Sequence, residues 1–222
     1  PNTYLQGLLH SKLINYWDYI EVDTLLSLQK PRTPFADEEI FIIYHQVTEL
    51  VLKLIMHEIK QITGENDPSE QEITERITRA NRYTTMLITS FAVMKDGMSY
   101  EDYNTFRLSL APASGFQSAQ FRFIEIRCTK LENLVNAMGK QRLPKTPNVE
   151  DYFENVYWKD AGLNRKTGKK TLTLSQFEDK YLESFIELAN EMKGNTLEEK
   201  VAKIEKPTDE LLKNLKYFDK FY

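Results

Sequence analysis

The run DEEIFIIYHQVTELVLKLIMHEIKQITG, residues 37–64, decides the fold class. It follows Pro31 and Pro34, and its three opening acids sit where a helix dipole favours negative charge. Apolar residues then recur at Ile40, Ile43, Val47, Leu50, Val51, Leu54, Ile55, Ile59 and Ile62 before Gly64 supplies a stop. That spacing of threes and fours is the signature of a long amphipathic helix. A second stripe, Phe41, His45, Thr48 and Leu52, runs beside the first. The helix is therefore apolar on two sides, and His45 is expected to be largely buried.

The same periodicity continues outward. Ser69 and Glu72, after Pro68, have capping-box spacing, and the stripe from Ile73 to Met94 runs down to Gly97. Ser99 and Asp102 open a short helix through Leu110, which Pro112 breaks. A third long helix is expected from Phe116 to Met138, closed by Gly139. Residues 140–174 read as a basic linker and a flap, with Asn164 to Lys170 as a polar loop or the tip of a small hairpin. Helices resume at Ser175/Glu178 and Thr196/Glu199, both capping-box pairs, and again near Thr208 with Leu211, Leu212, Leu215 and Phe218. The class is all-α, a bundle of long helices with a small irregular flap. Four stretches are expected: an amino-terminal arm over 1–30, core helices over 31–139, linker and flap over 140–174, and carboxy-terminal helices over 175–222.

Composition narrows the function. Of 222 residues 41% are hydrophobic and 12% aromatic, enough for a substantial core, while Gly and Pro number only eight each. A net charge of −4, with both signs interspersed, gives no basic stripe for nucleic acid. One cysteine, Cys128, excludes an internal disulfide framework and a thiolate zinc site and points to a reducing cytoplasm. No apolar run is expected to reach membrane-spanning length, so no membrane partner is expected. The opening Pro1 suggests a start within a longer gene product.

The three histidines, His10, His45 and His57, lack the Glu-x-x-His pairs of a carboxylate-bridged di-iron bundle and the His-Glu-x-x-His of a zinc protease. His45 reads either as a core histidine bonded to backbone or as a functional group. Arg107, one turn beyond Tyr103, has no acid in the stretch 104–120. If it is buried, either Glu49 or Glu125 answers it, or a ligand carboxylate does, which a guanidinium fork grips at both oxygens. Ala113-Ser114-Gly115-Phe116 forms a tight turn at a helix start, either a plain corner or a place where a flat ligand meets backbone N–H groups. Cys128 reads as a buried structural thiol.

Three ordered blocks resemble one family. These are Tyr16-Trp17-Asp18-Tyr19-Ile20 with Asp23 to Gln29; Asp37-Glu38 through Phe41-Ile42-Ile43-Tyr44-His45-Gln46, with Glu49-Leu50, Lys53 and His57-Glu58; and Tyr103, Phe106-Arg107 and Pro112 to Ser118. Together they resemble tryptophan 2,3-dioxygenases, over about half the chain. The resemblance implies haem b as cofactor, L-tryptophan and O2 as substrates, and a homotetramer. In it His45 hydrogen-bonds the indole N–H and Phe41 packs on the ring, with Ile42, Ile43, Tyr44, Ser114 and Gly115 lining the site. Arg107 and Tyr103 clamp the carboxylate, and Tyr16, Tyr19 and Ile20 complete a neighbour's pocket. The implied reaction inserts both oxygen atoms across the indole C2–C3 bond, giving N-formylkynurenine.

The family's proximal haem histidine and the glycine- and threonine-rich stretch after it have no counterpart here. Leu215 to Tyr222 resembles the run-up to that helix, so no metal ligand is assigned, and either the polypeptide continues or the haem site is lost. Two other readings stand beside the enzyme. One is a haem-free protein that keeps an indole amino-acid pocket, and the other is a purely structural oligomerising bundle.

Overall fold

The computed structural model describes residues 6–8, 15–64, 66–109, 115–164 and 167–221. Among them the chain is all-α, without a strand and with two isolated antiparallel bridges, Val135 to Val156 and Leu163 to Lys170. His10, Leu110 and the Pro112–Ser114 part of the expected turn lie outside the described residues.

The arm over residues 15–30 forms two short helices, α1 (Tyr16–Tyr19) and α2 (Val22–Leu26), joined through Glu21 in the left-handed region at φ 53°. The spine is α3 (Asp37–Ile62). Its second half buries Val51, Leu52, Ile55, Met56, Ile59 and Ile62, whereas Leu50 and Leu54, read as part of the main stripe, are 48% and 44% exposed. By length and a mean hydropathy of 1.3, α3 does reach membrane-spanning character, contrary to expectation. Only 22% of that apolar window is buried; where it does pack, each fully buried Leu or Ile contributes about 1.5–3 kcal/mol.

Helix α4 (Glu70–Ser90) opens on the expected Ser69/Glu72 capping box, with both reciprocal bonds made. It stops short of Gly97, and α5 (Ala92–Asp96) restarts after Phe91. Thr84, Thr85, Thr89 and Ser90 all bond back to carbonyls three or four residues earlier, which weakens the last turns of a helix. Then comes α6 (Tyr100–Phe106), capped by Ser99.

The expected third long helix is divided into α7 (Ala119–Cys128), a 3-10 turn (Leu131–Leu134) and α8 (Ala137–Arg142). Thr129 is extended at φ −146° and ψ 168°. There the Glu198 carboxylate accepts from Thr129 Oγ1 at 2.6 Å, from the Lys130 N–H at 3.3 Å and from Asn133 Nδ2 at 3.2 Å. This non-local anchor repays the lost helical bonds. Gly139 therefore lies inside α8 instead of closing a helix. A Cβ there would sit 2.6 Å from the Asn155 carbonyl oxygen.

Much of 140–174 is packed: α9 (Val149–Glu154) and the following 3-10 turn (Tyr157–Gly162) bury Val149, Phe153, Val156 and Trp158. What projects is a hairpin tip, where the Asn164 N–H donates to the Lys169 carbonyl at 2.8 Å, as the polar composition suggested. Helix α10 (Leu172–Glu191) begins earlier than expected, capped by Thr171. Ser175 is inside it, and Glu178 is a buried carboxylate held by Lys159 and Lys170, the latter at 2.7 Å. Helix α11 (Leu197–Ala202) carries the Thr196/Glu199 capping box, and α12 (Asp209–Phe221) buries Leu211 and Phe218.

Two hydrophobic clusters result. The first joins α3 and α4 to Ile124, Leu197, Leu211 and Phe218; the second joins Phe116 and Ile126 to α9, its 3-10 turn and α10. Helix α7 supplies Ile124 to one and Ile126 to the other, and Phe123 packs on both.

Candidate functional site

The first turn of α3 organises the site. Glu38, 1% exposed, accepts from the Arg32 N–H at 2.9 Å and from the Thr33 N–H at 2.7 Å, and also bonds the Thr33 hydroxyl. The Thr33 hydroxyl first, then the Arg32 N–H, hold its carboxyl below the usual value of 4.5 despite burial. Read from sequence as a dipole partner, Glu38 is in fact the anchor of the 32–33 loop. Beside it Asp37 Oδ2 accepts from the Ser99 N–H at 2.5 Å, tying the start of α6 to the start of α3.

These ties bring the proposed substrate residues together. Phe41 stands 4.1 Å from the His45 ring, 6.3 Å from Tyr103 and 5.7 Å from Phe106, centroid to centroid. The Arg107 guanidinium carbon lies 5.5 Å from the centre of the Tyr103 ring. Tyr44 meets His45 edge-on at 6.0 Å. Ile42 joins Phe41 in lining a cavity of about 480 Å3 bounded also by Lys30, Arg32 and Gln117. Ile43 is 42% exposed and lies about 200° round the helix from Phe41, so this cluster does not include it. Gly115 begins a 3-10 turn (Gly115–Gln117), exposed and open where a side chain would be, while Ser114 lies outside the described residues. Tyr16, Tyr19 and Ile20 are 72%, 74% and 40% exposed in the arm, outside the ring cluster.

Two burial expectations fail. His45 is exposed, because only the later part of the second stripe, from Leu52, reaches the core. One turn further along α3, Glu49 is bonded by Gln120 from near the start of α7. Arg107 is exposed too, so burial does not demand a partner for it. Neither suggested acid pairs with it. Glu49 takes Gln120, and Glu125 takes Arg122 at 2.7 Å and the Tyr157 hydroxyl at 2.5 Å. None of the ion pairs among the described residues involves Arg107.

The chemistry of His45 follows from one bond. Its Nδ1 lies 2.7 Å from the Phe41 carbonyl oxygen, which can only accept. Nδ1 therefore carries the proton, and in the neutral ring Nε2 is left as an acceptor. An acceptor beside an aromatic ring, with an unpaired guanidinium across the cluster, suits a flat ligand with an N–H and a carboxylate.

The haem implied by the resemblance is a poorer match. His57 is the other described histidine; it is exposed and lies twelve residues along α3 from His45, about 18 Å at 1.5 Å per residue. The two cannot ligate opposite faces of one iron. Burial first, and the charge of Glu125 next, push the Cys128 thiol up to about 12, so it is a thiol and not a thiolate ligand. Among the described residues no imidazole or thiolate faces His45 as an axial donor.

Sequence reasoning quoted Phe106 but gave it no role, although it is buried against both Phe41 and Tyr103, and it missed the cavity wall of Lys30 and Arg32. The signal for the wall was the Pro31–Pro34 bracket, which marks a constrained loop ahead of the helix.

An all-α protein with an open aromatic, imidazole and guanidinium cluster at the start of its longest helix is thus defined. A family model described as tryptophan 2,3-dioxygenase matches residues 7–216. The chain belongs to the tryptophan 2,3-dioxygenase family. It is similar to the tryptophan 2,3-dioxygenase of Polaromonas naphthalenivorans (strain CJ2), 35% identical over 116 residues, 52% of this chain and 41% of that protein. The tryptophan 2,3-dioxygenase of Ralstonia pickettii (strain 12J) is 34% identical over 144 residues, 63% of this chain and 49% of that protein. For that of Sorangium cellulosum (strain So ce56) the figures are 39% over 127 residues, 52% and 31%. The chain thus spans less than half the length of each of these relatives.

Proposed function

We propose that this chain recognises L-tryptophan as part of a dioxygenase that opens the indole ring to N-formylkynurenine. The observation that carries this reading is the His45 tautomer. With Nδ1–H donated to Phe41, Nε2 is free to accept the indole N–H while the Phe41 ring packs on the indole face. Arg107, 5.5 Å from the Tyr103 ring centre and without an ion-pair partner among the described residues, takes the substrate carboxylate. Tyr44 and Ile42 border the ring, and Gly115 opens the 3-10 turn beyond; Ser114, outside the described residues, is proposed to line the site as well. The chain's own part is to bind and orient substrate; haem b and O2 belong to the proposal through family membership. The lone Cys128 supports a cytoplasmic setting.

The exposed arm supports a homotetramer in which Tyr16, Tyr19 and Ile20 complete the pocket of a neighbouring subunit. Residues 1–30 would then be the arm, 31–139 the substrate core, 140–174 the linker and flap, and 175–222 the carboxy-terminal helices.

Calorimetric titration with three ligands tests the pocket. L-tryptophan should bind best, 1-methyltryptophan (without the N–H) less well, and tryptamine (without the carboxylate) weakest. Equal affinity for all three would overturn both assignments.

The lack of an opposing axial donor among the described residues favours a second reading, a haem-free protein that keeps the indole amino-acid pocket. Hemin titration separates the two. A stoichiometric histidine-type ferrous spectrum supports the enzyme, and its absence from a chain that still binds tryptophan supports the binder.

A further inference from the structure

Helices α4 and α12 leave between them a groove of about 710 Å3 that shares no residue with the Phe41 cluster. Its rim is cationic: Arg82 comes from α4, and Lys213, Lys216 and Lys220 come from one face of α12 at spacings of three and four. No carboxylate lines it, and none of the four cations has an ion-pair partner among the described residues. In a chain of net charge −4 this is a local concentration of positive charge.

The groove also carries aromatic surface. Tyr217 and Phe221 are 4.7 Å apart, centroid to centroid, and Phe221 is 40% exposed. Asn81, 7% exposed, is among the lining residues. Its Nδ2 donates to the Asn214 carbonyl at 2.9 Å, which fixes the amide orientation and leaves Oδ1 a buried acceptor without a hydrogen-bond partner. Such an oxygen is normally satisfied, and an exception points to a missing donor. One turn along α4, Thr85 Oγ1 meets the Tyr217 hydroxyl at 2.7 Å, a second bridge between the two helices beside the Asn81–Asn214 bond. Opening it would let a ligand donor approach the floor.

We propose that this groove binds a small aromatic acid: a flat ring for Tyr217 and Phe221, a carboxylate for the lysines, and an O–H or N–H for Asn81. The volume suits a small-molecule site, and a mixed charged and aromatic wall selects a planar anion over an aliphatic one.

Three probes titrated at low salt and followed by NMR test the assignment: 4-hydroxybenzoate, benzoate and cyclohexanecarboxylate. The expected order of affinity is that order. The double variant Lys213→Glu/Lys216→Glu should weaken 4-hydroxybenzoate at least tenfold, with helical content by circular dichroism unchanged because both lysines are exposed. Asn81→Ala should bring 4-hydroxybenzoate down to the level of benzoate. Arg107→Leu should change neither, which separates this groove from the tryptophan pocket. Unaltered binding in the charge-reversed variant, or cyclohexanecarboxylate binding as well as benzoate, would overturn the site. Equal affinity of native protein for the two benzoates would remove Asn81 from it.

Discussion

Removing the guanidinium of Arg107 while keeping an apolar stem, as in Arg107→Leu, should weaken L-tryptophan binding by about 1.5–3 kcal/mol, the usual worth of hydrogen bonds to a charged group. Arg107→Lys should recover only part of this, because an ammonium cannot grip both carboxylate oxygens. Calorimetry reads both, and near-native affinity in the leucine variant would leave Arg107 without a ligand role. Glu38 makes a different prediction, in pH. Its carboxyl is held below 4.5 chiefly by the Thr33 hydroxyl and the Arg32 N–H, so the charged form stabilises the fold above 4.5 and that contribution fades as pH falls through the lowered native value. Glu38→Gln should therefore melt below the native protein at pH 7, with the gap closing in acid. A gap independent of pH would contradict the role. At this scale the sequence showed which side chains matter more clearly than it showed their surroundings. Residue type and spacing raised Arg107 as a question only, and Phe41 and Tyr103 entered through the family resemblance; the structure brings the three side chains together. The exposure of His45 and Arg107 was not legible, since it depends on which elements pack over the start of α3 and the end of α6.

Among the helices, the starts were more legible than the ends. The Ser69/Glu72 and Thr196/Glu199 boxes act within four residues, and both formed as read. The break at Thr129 could not be read locally, because apolar periodicity continues through it and the Glu198 carboxylate that holds the break lies 69 residues away. The start of α10 was misplaced for a related reason. Ser175/Glu178 has the spacing of a cap, but Glu178 is taken by Lys159 and Lys170, and the nearer Thr171 caps instead. The divided helix has a testable weak point at Gly139. There an added methyl would meet the Asn155 oxygen at 2.6 Å and Val135 Cγ1 at 2.7 Å. Gly139→Ala, harmless in an exposed helix, should here cost about 1–3 kcal/mol through overpacking. Denaturant titration checks it, and a gain in stability would mean that α8 shifts freely against α9.

For the molecule as a whole, the all-helical class followed from composition and period alone, whereas the proposed packing of the arm on a neighbouring subunit rested on the family resemblance. Residues 15–28 present Tyr16, Trp17, Tyr19, Leu26 and Leu28 more than half exposed. Burial of such rings across a subunit boundary is the expected use. Sedimentation at micromolar concentration should show a homo-oligomer, and Tyr16→Ala/Tyr19→Ala should shift it towards monomer while lowering tryptophan affinity. A native monomer that binds tryptophan fully would rule out a shared pocket. The arrangement of α7 bears on how the chain comes apart. Because one short helix furnishes a side to each hydrophobic cluster, neither cluster can lose its order without exposing residues of the other. The unit of cooperative unfolding is then larger than either cluster, and amide protons along α7 are released to solvent only when both give way.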